Sequence, residues 1–134
     1  MAGESSQGKK KKVLIVDDDS FLLDMYSLKL SNAGYEVDSS NSPDDALDKI
    51  RGGFEPDIFL FDIVMPGMGG WGFIKQIREE KLIPKATAIV LSNQGQKSDF
   101  EESKTYKVDG YIVKALSTPS EVLQKIGEIH KSKK

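Results

Sequence analysis

The stretch that decides the fold is DIFLFDIVMPGMGGW at residues 57–71. Its segment IFLF at 58–61 is apolar without polar alternation, which is typical of a strand covered on both faces of a sheet. A proline and three glycines at 66–70 interrupt regular structure, and a helical pattern then runs from 71 to 80. Asp62 therefore stands where a buried strand opens into a loop, the position at which open α/β sheets place ligands and chemistry.

Length and composition limit the chain to a single domain. With 134 residues, 38% of them hydrophobic and 30% charged, it can build a core that folds unaided. With a net charge of -2 the chain has no excess of positive charge to attract nucleic acid or an anionic membrane, so we expect neither as a partner. The absence of cysteine excludes disulfides and thiolate sites. No apolar stretch is long enough for a membrane span or a signal sequence, so we expect a cytoplasmic protein.

Strand and helix patterns alternate five times along the chain. We expect the domain at residues 12–131, between a disordered basic leader at 1–11 and a basic tail at 132–134. The alternation predicts a doubly wound α/β fold, with a five-stranded parallel sheet in the order 2-1-3-4-5 and helices on both faces. The expected strands are 13–16, 35–41, 58–61, 86–91 and 110–113, and the expected helices are 20–31, 43–52, 71–80, 97–106 and 119–129.

Two of the expected helices differ in how well they are anchored. Phe21, Met25 and Leu28 lie at helical spacing and indicate the apolar side of the first helix. The fourth helix offers only Phe100 and Tyr106 as large anchors among many charges, so we expect it to open or shift at low cost.

The carboxyl ends of four strands carry polar side chains, namely Asp17 and Asp18, Asp62, Ser92 and Lys114. In a parallel sheet these ends lie on the same side. Converging carboxylates repel one another unless a cation lies among them, and an open site of oxygen ligands suits Mg²⁺ better than zinc. Such an ion, a lysine and a hydroxyl together form a receptor for a phosphoryl group, and a carboxylate left free to attack becomes the nucleophile.

Four segments give the chain a resemblance to a known family. VLIVDDD (13–19), PDIFLFDIVMPGMGG (56–70), IVLSN (89–93) and GYIVK (110–114) resemble, in order and spacing, the receiver domain of a two-component response regulator. The resemblance covers residues 11–129. It implies the flavodoxin-like receiver fold, of the stand-alone single-domain type, and a signalling phosphoacceptor that catalyses only its own phosphoryl transfer and dephosphorylation.

The resemblance also implies a chemical role for the residues that match the family's motifs. Asp62 matches the phosphoacceptor. Asp17 and Asp18, together with Asp62 and the backbone carbonyl of Val64, match the ligands of Mg²⁺, or of Mn²⁺ in its place. Phosphorylation of Asp62 in a magnesium-dependent reaction is therefore the function that the resemblance predicts.

Further matches concern the response to phosphorylation. Ser92 corresponds to the hydroxyl that hydrogen-bonds the phosphoryl oxygens, Lys114 to the lysine that pairs with the phosphoryl charge, and Tyr111 to an aromatic ring that turns inward. The expected output is a change in the face formed by the fourth helix, the fifth strand and the fifth helix. Val64 and Gln94 occupy the positions that tune dephosphorylation, and since only Gln94 can orient water, we expect slow to intermediate hydrolysis.

The same resemblance implies partners. Phosphoryl groups are expected from a sensor histidine kinase or a phosphotransfer protein, and the signal is expected to pass to a downstream protein target by a monomer or weak dimer. Two positions depart from the family's pattern. Ala115 follows the lysine where a proline in a cis peptide is usual, so we expect a trans peptide there. Gly69 stands where an aspartate is common, which we expect to loosen the loop.

Three other functional interpretations remain open, and the third of them is a non-enzymatic, non-phosphorylated protein-interaction module. An apolar strand followed by Asp17 and Asp19 also fits a phosphatase of the haloacid-dehalogenase class, with Asp17 as nucleophile and Asp19 as general acid, although Asp19 could equally cap the first helix. Glycines 67, 69 and 72 satisfy G-x-G-x-x-G, but this match starts five residues after the strand and is weak evidence for dinucleotide binding. His130, the only histidine, is interpreted as a cation at the end of the last helix.

Overall fold

Five alternating strands and helices build the domain, which a computed structural model describes over residues 10–93 and 96–133. The strands are β1 (Lys12–Val16), β2 (Glu36–Ser40), β3 (Ile58–Phe61), β4 (Thr87–Ser92) and β5 (Gly110–Val113). The helices are α1 (Ser20–Asn32), α2 (Pro43–Arg51), α3 (Gly69–Glu79), α4 (Lys97–Thr105) and α5 (Pro119–Ser132), and a 3₁₀ turn at Lys114–Leu116 precedes α5. Residues 1–9 of the expected leader lie outside the described residues, as do 94, 95 and 134.

The five strands form one parallel sheet in the order β2-β1-β3-β4-β5, which confirms the predicted topology. β1 pairs with β2 on one side and β3 on the other, so the connections reverse direction between β1 and β3. All carboxyl ends of the strands lie along one edge, and the crevice at this reversal is the usual ligand position in such sheets.

Both faces of the sheet are covered, which explains the apolar run of β3. Phe59 and Phe61 pack on one side with α2 and α3, whereas Ile58 and Leu60 pack on the other side with α1 and α5. All four side chains are fully buried. A strand with helices on both faces has no position for a polar residue, so its polar side chains are confined to its ends.

The helix predicted at 20–31 is confirmed, but the residues whose spacing predicted it lie mostly away from the sheet. Phe21 and Leu28 are 75% and 63% exposed, and Met25 is only partly buried. The side that packs on the sheet consists of Leu23, Tyr26 and Leu30. Apolar residues occur all around this helix, so periodicity alone does not select one face, and contact with the sheet decides it.

The sparse anchoring predicted for α4 is confirmed. None of its residues is buried, and Phe100 is 41% exposed. The adjoining Tyr106 stacks on Trp71 at a ring-centroid distance of 6.4 Å. By contrast, α5 buries Val122 and Ile126 completely.

The amino end of β4 meets the carboxyl end of α5 through a histidine. Thr87 Oγ1 and His130 Nδ1 lie 2.8 Å apart. Burial and the nearby Lys11 lower the pKa of His130, which favours the neutral imidazole over the helix-end cation expected from the sequence. Across the described residues every helix is too short or too polar to cross a bilayer.

Candidate functional site

The strand-end residues predicted from the sequence meet in one cleft at the carboxyl edge of the sheet. It lies at the crevice between β1 and β3 and has a volume of about 300 Å³. The lining residues are Asp17, Asp18, Asp19, Leu22, Asp62, Val64, Ser92, Asn93 and Lys114. Leu22 and Asn93 were not predicted, because neither a helix-face leucine nor a residue after the Ser92 hydroxyl carries a chemical signal of its own.

The Asp62 carboxylate is held by two hydrogen bonds to one of its oxygens. Its Oδ1 accepts one from Ser92 Oγ at 2.9 Å and one from the Val64 backbone N–H at 3.1 Å. Its backbone N–H donates to Val16 O at 3.1 Å, which extends the β1–β3 ladder by one residue. The carboxylate is therefore fixed at the end of the central strand with only 8% of the residue exposed.

Lys114 lies between two acids. Its Nζ is 2.9 Å from Asp17 Oδ2 and 3.7 Å from Asp62 Oδ2. The Lys114 and Asp17 side chains are 5% and 4% exposed, so this ion pair is removed from bulk water. A pair of this kind costs desolvation energy to build, and removing one partner leaves an uncompensated charge in the cleft. The Lys114–Ala115 peptide is trans, as expected.

Three carboxylates could hold a divalent cation. Oxygen atoms of Asp17, Asp18 and Asp62 all lie within 4.8 Å of one another, with Asp18 exposed and the other two buried. The donor set consists of oxygen alone and opens to water on one side, which fits Mg²⁺ or Mn²⁺.

Asp19 has a different role from its two neighbours. Its Oδ1 accepts hydrogen bonds from the backbone N–H groups of Phe21 at 3.1 Å and Leu22 at 3.2 Å, so it caps α1. Its own N–H donates to Asp17 Oδ1 at 2.9 Å, which orients that carboxylate. Capping occupies the side chain that the phosphatase interpretation needs as a general acid.

Close packing of α3 shapes the loop after Asp62. The Gly70 N–H donates to Ile63 O at 3.1 Å, and a Cβ at Gly70 would collide with the Asp62 carbonyl oxygen and lie 2.5 Å from Ile63 Cα. Gly69 adopts φ +70°, a left-handed conformation that glycine accepts without strain. The sequence marked these glycines only as helix breakers. Their contact with the loop after Asp62 is tertiary, and nothing in the local sequence indicates it.

Tyr111 lies beside the cleft on β5. Its ring centroid is 4.6 Å from that of Phe100, and it packs partly against the core. Burial, reinforced by the charges of Asp99 and Asp62, raises the pKa of Tyr111 to about 12, so its hydroxyl stays protonated at neutral pH. Gln94, predicted to tune dephosphorylation, lies outside the described residues.

The fold and the cleft together define a class of protein: doubly wound α/β domains with an acid-lined crevice, a hydroxyl and a lysine at the strand ends. Comparison with known families is more specific. A model described as the response regulator receiver domain matches residues 13–127, and the chain belongs to this family of two-component signalling domains. The match favours a receiver over a haloacid-dehalogenase phosphatase as the explanation of the acids at 17–19.

Curated relatives agree with this assignment. The chain is 36% identical over 122 residues to the chemotaxis protein CheY of Thermotoga maritima, covering 90% of this chain and 98% of that protein. It is 32% identical over 122 residues to the transcriptional regulatory protein ResD of Bacillus subtilis, again over 90% of this chain. It spans 48% of ResD and similar shares of several ycf27 proteins described as probable transcriptional regulators.

Solved structures show the same fold. A CheY-like receiver domain from Methanospirillum hungatei superposes with a TM-score of 0.83 at 30% identity, covering 92% of this chain and 95% of that one. CheY4 of Vibrio cholerae gives a TM-score of 0.83 at 28% identity, covering 90% and 99%. Receiver architecture therefore extends over nearly all of the described residues.

Proposed function

We propose that this receiver domain accepts a phosphoryl group on Asp62 in a magnesium-dependent reaction and signals in the phosphorylated form. One observation carries the proposal: the Asp62 carboxylate is held by Ser92 and Val64, lies 3.7 Å from the Lys114 ammonium group, and belongs to the cluster with Asp17 and Asp18. It thus combines a nucleophile with positive charge and with room for a divalent cation.

The transfer forms one bond and breaks one. A lone pair of the Asp62 oxygen that faces Lys114 attacks phosphorus, and the bond from phosphorus to the donor's nitrogen or oxygen breaks with its electron pair. The leaving group then takes a proton from water. Lys114 offsets the charge that develops on the phosphoryl oxygens, and Ser92 Oγ–H turns from Asp62 Oδ1 to donate to one of them.

The acidic cluster would hold the metal. Asp17, Asp18, Asp62 and the Val64 carbonyl are the proposed ligands of Mg²⁺ or Mn²⁺, which supplies positive charge to the phosphoryl oxygens. Lys114 and the Asp19 backbone N–H both bond to the Asp17 carboxylate and fix its orientation in the cleft. The chain's own residues therefore preorganise the ligand set.

Phosphorylation adds nearly two negative charges to this buried edge. We infer that Lys114 moves from Asp17 toward the phosphoryl group, that Ser92 follows, and that Tyr111 turns inward. The α4–β5–α5 face then changes as a shift between two packings, biased only by the contacts that differ between them. The absence of buried residues in α4 supports this choice of moving element.

The proposal extends to partners and to the bounds of the domain. A sensor histidine kinase or phosphotransfer protein would supply the phosphoryl group, and a downstream protein would read the changed face. A cytoplasmic monomer or weak dimer, a domain at 12–131, a basic leader and a short basic tail stay predictions. Val64 is 56% exposed at the cleft, and its side chain cannot align a water, which supports slow to intermediate hydrolysis.

Mass spectrometry after incubation with acetyl phosphate and Mg²⁺ tests the proposal. We expect a phosphoryl adduct on the wild type and on Asp19→Ala, a matched acidic control from the same cleft, and none on Asp62→Ala. An adduct that persists in Asp62→Ala but disappears in Asp17→Ala would instead support the phosphatase mechanism. In the same assay Val64→Asn should hasten loss of the adduct, and an unchanged decay rate would contradict the role given to Val64.

A further inference from the structure

Helix α4 is held to α3 by polar contacts at both of its ends. At the amino end, Trp71 Nε1 of α3 donates to Asp99 Oδ1 at 3.3 Å. At the carboxyl end, the Arg78 guanidinium donates to Tyr106 O at 2.9 Å and to Lys107 O at 3.1 Å. Because α4 buries no side chain completely, these contacts supply a large share of what fixes its position.

The two ends are held with unequal strength. Arg78 makes two hydrogen bonds of ordinary length from one rigid, half-buried group. At the amino end Trp71 makes a single bond near the upper limit of hydrogen-bond length, whereas at the carboxyl end its ring also stacks on Tyr106. The amino end of α4 should therefore separate from α3 first, while the carboxyl end stays attached.

Trp71 lies between α4 and the loop at residues 62–68, which contains the proposed acceptor Asp62 and is called the acceptor loop below. The residue before it, Gly70, bonds to Ile63 O in the loop that follows Asp62, and the Trp71 ring meets the Phe61 ring edge-on at 6.4 Å. A movement of this loop would therefore reach the indole through Gly70.

Asp99 and Phe100 form the other side of this contact. Asp99 Oδ2 accepts a hydrogen bond from the Gln96 N–H at 3.3 Å, which ties the first turn of α4 to the same carboxylate that meets Trp71. Phe100 in that turn contacts Tyr111 of β5, with ring centroids 4.6 Å apart. One helical turn therefore contacts both α3 and the strand that leads to Lys114.

We propose that Trp71 is a positioning residue, whose hydrogen bond to Asp99 keeps the first turn of α4 on α3 in the unphosphorylated form. When this bond opens, α4 swings about its carboxyl end, which Arg78 retains. The inference rests on the proposed function, because the opening is driven by charge added at Asp62. The coupling between the two sites is reciprocal. If phosphorylation weakens the contact between Trp71 and Asp99, then that contact weakens binding of a phosphoryl group by the same factor.

Titration with beryllofluoride in the presence of Mg²⁺, followed by calorimetry, tests this reciprocity. Trp71→Phe keeps an aromatic ring against Phe61 and Tyr106 but removes the indole N–H. We expect it to bind beryllofluoride about threefold to tenfold more tightly than the wild type, the range that one such hydrogen bond gives. Equal or weaker binding by Trp71→Phe would overturn the proposal.

A double-mutant cycle separates positioning from general loosening. If Trp71 acts through Asp99, then Trp71→Phe changes the affinity no further in an Asp99→Ala background. Additive effects would show that the two residues act independently and would contradict the proposed contact.

Amide exchange of the unliganded variant locates the effect. Trp71→Phe should lose protection at 97–101 and keep it at 103–108, and uniform loss along α4 would rule out the swing about Arg78. The outcomes also separate the two proposals. Beryllofluoride binding by the wild type with no gain in Trp71→Phe rejects only the positioning role, whereas no binding by the wild type rejects the proposed function and the inference that rests on it.

Discussion

The acceptor loop and helix α4 lie on opposite sides of Trp71 and are held in opposite ways. The loop is fixed by a backbone hydrogen bond and a buried charge: the Gly70 N–H donates to Ile63 O, and Lys114 Nζ lies 3.7 Å from Asp62 Oδ2. Helix α4 is held by a few polar bonds and by the ring contacts of Phe100 and Tyr106, and it buries no residue. The contrast shows that neighbouring elements of one small fold differ in how densely they are packed, and sparsely packed elements open at lower cost.

Gly70→Ala should have the largest effect on the rigid side. Its Cβ would collide with backbone atoms of Asp62 and Ile63, which cannot move aside as a side chain can. We expect the free energy of unfolding to fall by about 3 kcal/mol, measured by urea denaturation. Gly67→Ala is the control, since φ is +82° there but no atom lies within 4 Å, and its cost should be about 1 kcal/mol. Equal losses in the two variants would show that the close approach at Gly70 is unimportant.

Lys114→Ala should have the next largest effect. It leaves Asp17 and Asp62 without their ammonium partner, and we expect a loss of about 2 kcal/mol in metal-free buffer, less than for a fully enclosed pair because the cleft admits water. Mg²⁺ should then stabilise this variant more than the wild type, because the metal replaces the missing positive charge. Thermal unfolding with and without Mg²⁺ measures both effects. Lys75→Ala, an exposed lysine on α3, is the control, and matching behaviour of the two variants would contradict the account.

Phe100→Ala examines the mobile side. The ring is 41% exposed, so we expect global stability to fall by only about 1 kcal/mol, well below the cost of truncating a core phenylalanine. Amide protection should fall at 97–105 and stay unchanged in β3. A loss of several kcal/mol would show that α4 is as firmly packed as the acceptor side and would remove the contrast.

His130 should give the smallest effect, at the edge of the sheet away from the cleft. Its pKa is lowered from the ordinary value of 6.5, so the folded state binds a proton less readily than the unfolded chain. The stability that the neutral imidazole contributes is therefore complete above about pH 6.5 and declines as pH falls below that value. Thermal unfolding between pH 7.5 and 5.5 should show this decline in the wild type and a flatter profile in His130→Gln. If the stability of the wild type and of His130→Gln changed with pH in the same way, the lowered pKa of His130 would be contradicted.

Much of the architecture was predictable from the sequence, because strands covered on both faces carry their polar residues only at their ends. This rule located Asp17, Asp62, Ser92 and Lys114, and the parallel order brought them together. Features that depend on tertiary contact were not predictable. The inward side of α1 depends on which apolar residues meet the sheet, and the bond from Trp71 to Asp99 joins two separate helices through residues that look ordinary in isolation.

The central claim is that charge added at Asp62 moves α4 while the buried strands stay in place. Amide hydrogen exchange with and without beryllofluoride and Mg²⁺ measures this most directly. The account predicts altered protection within 96–111 and unchanged protection in β3 at 58–61. Unchanged protection throughout 96–111, with beryllofluoride shown to be bound, would contradict it.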